Sequence, residues 1–169
     1  MPKFSKPTLE QRPEMHYAAV RLQVPIPFGK FIQPATDKVT AWLTARGIEA
    51  PGAPFIRYLT TDMAKKLDIE VGWPVAAPVT GDEQIVTGTI PAGRYAVMMY
   101  TGSFRGKGLY KATVYFMGWA QENQVVWKTA QIDGIEWWAA RFEHYLTDIA
   151  QETNPDKWET ELAFMVADK

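Results

Sequence analysis

The chain has 169 residues, enough for one domain or two fused half-domains sharing a core, and its 47% hydrophobic content excludes a disordered protein. A formal net charge of −1 without a Lys/Arg-rich run argues against a nucleic-acid partner, because binding to phosphate by counterion release needs a basic face. With no Cys and two His, disulfides, thiol catalysis, thiolate metal sites and a His-based metal centre are all disfavoured, and neither metal nor cofactor is implied.

Residues 1–14 hold Pro2, Pro7 and Pro13 and little apolar content, and read as a loosely held arm without a signal peptide. The longest fully apolar run, Tyr95 to Tyr100, is far short of the ~20 residues that cross a bilayer, so a soluble, cytoplasmic chain with no membrane partner is expected. The aromatic content of 13%, with seven Trp, points equally to a ligand cavity or to a Trp-rich core.

Residues 18–24 predict a strand from their β-branched and apolar content. Residues 34–46 predict a helix: Pro34 suits its first turn, Val39, Trp42, Leu43 and Arg46 share a face, and Gly47 suits its end. The segment 55–64 (FIRYLTTDMA) follows, then 70–75 (EVGWPV), and the polar loop 81–84. Residues 94–100 predict a strand, and 108–123 a helix with Leu109, Ala112, Phe116, Trp119 and Ala120 as its apolar stripe. The glycine-rich stretch 102–108 lacks the Gly-Lys-Ser/Thr of a phosphate loop and reads as a sharp strand-to-helix turn. Residues 125–132 and 135–139 predict a hairpin about Asp133-Gly134, a type I′ turn signal, carrying Trp127, Trp137 and Trp138.

Residues 142–150 (FEHYLTDIA) then repeat 55–64 at an offset of 87 (142 − 55) with one deletion, and 161–166 (ELAFMV) echo 70–75. Each half therefore reads strand, helix, strand, strand, and the hairpin has no counterpart in the first half. The fold class expected is α+β, a tandem strand-helix-strand-strand repeat with pseudo-two-fold symmetry, an antiparallel sheet and two main helices. It forms one domain over 15–169, with halves at about 15–80 and 85–169.

Strand alternation sorts the side chains of the second half. Trp138, Phe142, His144 and Leu146 fall on a core face, and Trp137, Arg141, Glu143, Tyr145 and Thr147 on a mixed one. In the last strand Thr160, Leu162, Phe164 and Val166 oppose Glu159, Glu161, Ala163 and Met165. Glu143 and Glu161 then fit either a solvated sheet face or, with Tyr145, an aromatic pocket that offers carboxylates to a cation or donor. The repeat sets Glu70 opposite Glu161 and Tyr58 opposite Tyr145 across the pseudo-axis. Trp73 fits a pocket wall or the core equivalent of Phe164, Tyr110 a groove overhang or a helix–sheet seam, and His144 a hydrogen-bonded core residue.

The runs Ile90-Pro91-Ala92-Gly93-Arg94-Tyr95-Ala96-Val97 and Thr101-Gly102-Ser103-Phe104-Arg105-Gly106-Lys107-Gly108-Leu109-Tyr110 resemble the signature of the GyrI-like family, related to the effector-binding domains of AraC-type and MerR-type regulators. Residues 52–58, 68–75 and 158–162 extend the resemblance over 17–167. The resemblance implies a binding domain for lipophilic, often cationic aromatic compounds, with pocket glutamates at the positions of Glu143 and Glu161. The family's last-strand Glu-x-Tyr is here Glu161-Leu162-Ala163, so one pocket tyrosine is missing and Trp137 or Trp138 is expected to fill its place. The ligand-binding set expected is Glu143, Glu161, Tyr145, Trp137, Trp138, Tyr110, Trp73, Tyr58 and Glu70. No helix-turn-helix pattern precedes the domain, so a stand-alone binding protein is expected. The resemblance leaves open a hydrolase that opens cyclopropane-containing alkylating toxins, with Glu143 as base and Tyr145 or Glu161 assisting, and also inhibition of a protein partner such as gyrase.

Overall fold

The strand-helix-strand-strand order occurs twice in the computed structural model, which describes residues 3–25, 27–61 and 67–168. The first half comprises β1 (Lys3–Phe4), β2 (Thr8–Arg12), β3 (Met15–Val24), α1 (Ile32–Ala45), β4 (Phe55–Thr60), β5 (Leu67–Val75) and β6 (Val86–Ile90). The second comprises β7 (Gly93–Thr101), α2 (Gly108–Glu122), β8 (Thr129–Ile132), β9 (Ile135–Trp138), β10 (Arg141–Tyr145) and β11 (Glu159–Met165). The repeat units are β3-α1-β4-β5 and β7-α2-β10-β11. Asp62, Met63 and Ala64 of the first repeated segment lie outside the described residues.

All strands pair antiparallel, in the order β1-β7-β11-β10-β4-β5-β3-β6, with β2 beside β1 on the free side of β7. The chain passes from β6 to β7 through Pro91-Ala92, and from β2 to β3 through Pro13-Glu14. Links this short reach only about 10 Å, so the sheet curls until its two ends approach each other. The inside of the curl is filled by Tyr17, Phe55 and Ile90 from one end and Tyr95, Phe142 and Met165 from the other.

Both helices cover the outer face of the curl. Ala35, Val39 and Leu43 of α1 pack on Val20, Ile56, Ile69 and Val71, and Ala112, Phe116 and Ala120 of α2 on Met98, Tyr100, Leu162 and Phe164. The helix α1 begins at Ile32, two residues before the expected start, which still leaves Pro34 in its first turn. It ends before Gly47, whose φ of +65° suits the stop. No helix among the described residues is long and apolar enough to cross a membrane.

Two expectations fail in an informative way. The described part of the N-terminal arm is not loose: β2 runs along β7 from Thr8↔Val97 to Arg12↔Gly93. The exposed edge of β7 supplies backbone partners that an inspection of apolar content does not reveal. The hairpin forms with φ of +53° at Asp133 and +77° at Gly134, the type I′ pattern. Yet β9 stops at Trp138 and β10 starts at Arg141, and the Ala139-Ala140 step breaks the alternation. Trp138 therefore packs with Phe164 on the helix-bearing face, not with Phe142.

Candidate ligand-binding site

Pairing between β4 and β10 sets Ile56 directly opposite Glu143, and the repeat offset makes these two residues equivalents (143 − 56 = 87). The pseudo-two-fold axis passes through this pair. Across six strands the register aligns Val20, Val71, Ile56, Glu143, Leu162 and Met98 in one row on the helix-bearing face. Glu143 is the one charge in that row and is buried.

The axis explains its partners. Tyr58 and Tyr145 are equivalents (145 − 58 = 87), one from each half, and both hydroxyls donate to the same oxygen, Glu143 Oε1, at 3.0 and 2.8 Å. No described residue donates to Oε2. Burial pushes the Glu143 carboxyl above the ordinary carboxylate range, and the hydrogen bonds from Tyr145 and Tyr58 and the Arg141 charge pull it back only in part. Burial, and then the Glu143 charge, hold both tyrosine hydroxyls well above their usual range, so they stay protonated donors.

The lining is aromatic and again two-fold. Phe28, from the loop before α1, meets Tyr58 edge-on at 6.2 Å between ring centroids, and Phe104, from the loop before α2, meets Tyr145 at 5.4 Å. Phe104 also stacks on Trp158 at 4.7 Å. Arg141 lies over the rings of Tyr58, Trp138 and Phe164. Composition alone did not point to Phe28 and Phe104, which sit in loops without periodicity. Their common spacing, four residues before the first residue of each helix (32 − 28 and 108 − 104), is the signal that marks them.

Of the expected set, Glu143, Tyr145 and Tyr58 come together, with Trp138 beside them across Arg141. Glu161 and Glu70 do not join them. Glu161 pairs with His144, and Glu70 with Arg57, on the inner face of the sheet. There Glu161 accepts from Arg12 Nη1 at 2.8 Å and Glu70 from the Tyr17 hydroxyl at 2.6 Å. The two carboxylates thus have protein partners and point away from Glu143. Trp73 packs against the α1 cluster and donates to Thr40 Oγ1 at 3.0 Å. Tyr110 is 67% exposed on α2, and Trp137 is half-buried opposite Thr60. His144 stacks on Phe142 at 5.3 Å, and burial lowers its pKa to about 4, leaving it neutral. A cleft of about 70 Å³ on this inner face, lined by Arg12, Met15, Ile90, Tyr95, Phe142 and His144, lies away from Glu143.

A curled antiparallel sheet with two helices on its outer face, and a lone acid between them, is the arrangement of a small-molecule-binding domain. The chain belongs to the GyrI-like small molecule binding domain family, whose model it matches over residues 5–167. Its fold is that of the EcmrR C-terminal domain (TM-score 0.80, 21% identity, 97% of this chain and 98% of that one). It spans 58% of the EcmrR chain in the EcmrR–DNA complex. It is also similar to SAV2435 bound to tetraphenylphosphonium (TM-score 0.62, 10% identity, 96% and 94% covered). A hydrolase from Listeria innocua shares the fold at a TM-score of 0.58 (16% identity, 96% and 92% covered). No curated protein matches the chain.

Proposed function

We propose that this protein binds lipophilic aromatic compounds in the cytoplasm, seating a cationic or donor-bearing group against Glu143 between Tyr58 and Tyr145. The observation that carries the reading is a single carboxylate buried on the pseudo-axis in an otherwise apolar row. An ionised carboxylate among apolar and aromatic groups is unfavourable when the site is empty, and a cation that replaces water there recovers that loss. Glu143 Oε2 is free of described donors and available to a ligand, while Phe28 and Phe104 offer rings on either side. The tetraphenylphosphonium carried by SAV2435 is a ligand of this kind. Titration with tetraphenylphosphonium, followed by tryptophan fluorescence, tests the reading. Glu143→Gln keeps the shape and is expected to weaken binding by about tenfold or more. No binding to the wild type, or equal binding by the variant, refutes it.

A second reading uses the same carboxylate as a base. A buried Glu with a raised pKa, held by two tyrosine hydroxyls, suits proton removal from water. Opening an activated cyclopropane needs no cofactor: the water proton goes to Glu143, its oxygen bonds to the ring carbon, and the C–C electron pair leaves into the conjugated acceptor. Mass spectrometry for the water adduct distinguishes turnover from capture. Glu143→Gln abolishes the adduct if the base reading holds.

A further inference from the structure

Arg141 is the other charge beside Glu143, and capture of a simple cation makes no use of its N–H donors. It lies two positions before Glu143 in β10, so both side chains project from one face about 7 Å apart. Its guanidinium rests 4.5 Å from the Phe164 ring centroid, 4.6 Å from Trp138 and 5.3 Å from Tyr58. Aromatic faces stabilise a buried cation, but they do not satisfy N–H donors that point outward in the guanidinium plane. Arg141 Nε is buried without a hydrogen-bond partner, and no ion pair within 4.0 Å reaches the guanidinium among the described residues.

Arg57, on the inner face, shows the contrast. It too has a buried Nε without a partner, but its Nη1 donates to the Tyr17 hydroxyl at 3.0 Å, its Nη2 donates to the Ala139 carbonyl at 2.8 Å, and Glu70 stands 3.7 Å away. Arg141 has no such set. Beyond Glu143 in the opposite direction, the hydroxyl of Thr160, cross-strand from Tyr145, is a further buried polar atom without a partner. Two unmet polar groups therefore flank Glu143 on one face, and buried polar groups left unmet call for an occupant. A guanidinium stays charged at any pH the protein meets and matches an oxyanion in its plane.

We infer that Arg141 is the anion-binding end of this site, and that the site takes aromatic zwitterions: compounds with a carboxylate or similar oxyanion at one end and a cation or hydrogen-bond donor at the other. The inference rests on the ligand reading of Glu143 and narrows its ligand class. A lipophilic monocation complements Glu143 but meets like charge at Arg141, whereas a zwitterion complements both.

Fluorescence anisotropy with rhodamine B, which has a free carboxylate, and its ethyl ester, a cation of nearly the same shape, tests this. The wild type is expected to bind the acid roughly tenfold more tightly than the ester. Arg141→Met, close in volume, brings that ratio to one or below, and circular dichroism checks its fold. Equal wild-type affinities, or an acid preference that survives Arg141→Met, overturn the inference. If the ester still binds in a Glu143-dependent way, the reading of Glu143 stands. If neither dye binds the wild type, both fall. Should Arg141→Met not fold, the wild-type ratio decides, and Arg141→Lys, which retains the charge, keeps the acid preference.

Discussion

Glu143 carries a pH dependence whose sign follows from its raised carboxyl. The unfolded chain gives up this proton at a lower pH than the folded protein does, so ionisation favours unfolding. The stability the protonated group retains is fully present below the ordinary carboxylate pKa and is lost as pH rises through the raised one. Glu143→Gln is therefore expected to melt higher than the wild type at neutral pH, with the difference closing below about pH 4. Thermal melts across that range check it, and a wild-type advantage at neutral pH contradicts it. A cation bound at Glu143 favours the ionised form, so binding releases protons where the carboxyl is still partly protonated. Titration calorimetry in buffers of different ionisation enthalpy reads that release directly, and buffer-independent heats over that range contradict it. Tyr58, Tyr145 and Glu143 were legible because the repeat ties the two tyrosines together and alternation puts Tyr145 on the face of Glu143. Glu161 and Glu70 were not. Alternation divides a strand into two faces but does not say which face of one strand continues onto the next, and the pairing Glu143↔Leu162 turns Glu161 to the inner side.

At the scale of elements, the two repeat units and the hairpin follow from local chemistry: apolar periodicity, Gly47 beyond α1, and Asp133-Gly134 at the turn. Both hairpin residues have positive φ, and at Gly134 it is +77°. Gly134→Ala is expected to cost roughly 1 kcal/mol, lowering the melting temperature by about 3 °C, because an L-residue strains there. An unchanged melting temperature contradicts the turn assignment. The break at Ala139-Ala140 has no signal in alternation, because that step belongs to neither strand. Its consequence is specific: Trp138 joins Arg141 and Phe164 on the helix-bearing face beside the site, whereas Ala163, where the family's last-strand tyrosine is missing, faces the inner side with Phe142, so Trp138 does not take that tyrosine's place.

For the molecule as a whole, the curl comes from long-range pairing that no local pattern encodes, although the two-residue links at Pro13-Glu14 and Pro91-Ala92 demand it once strand order is known. The N-terminal segment belongs to that architecture. It covers the β7 edge and brings Arg12 to Glu161. Removing residues 1–12 uncovers this edge and leaves Glu161 unpaired, so a lower melting temperature and concentration-dependent self-association are expected. Light scattering checks the second effect, and an unchanged association state with equal stability contradicts the role of β2. The central claim is that ligands bind on the pseudo-axis at Glu143. The most direct measurement is a crystal structure of the tetraphenylphosphonium complex. A phosphonium within about 6 Å of the Tyr58 or Tyr145 ring and facing Glu143 Oε2 is expected. A ligand seated instead in the inner cleft beside Arg12 and His144, with Glu143 still enclosed, contradicts it.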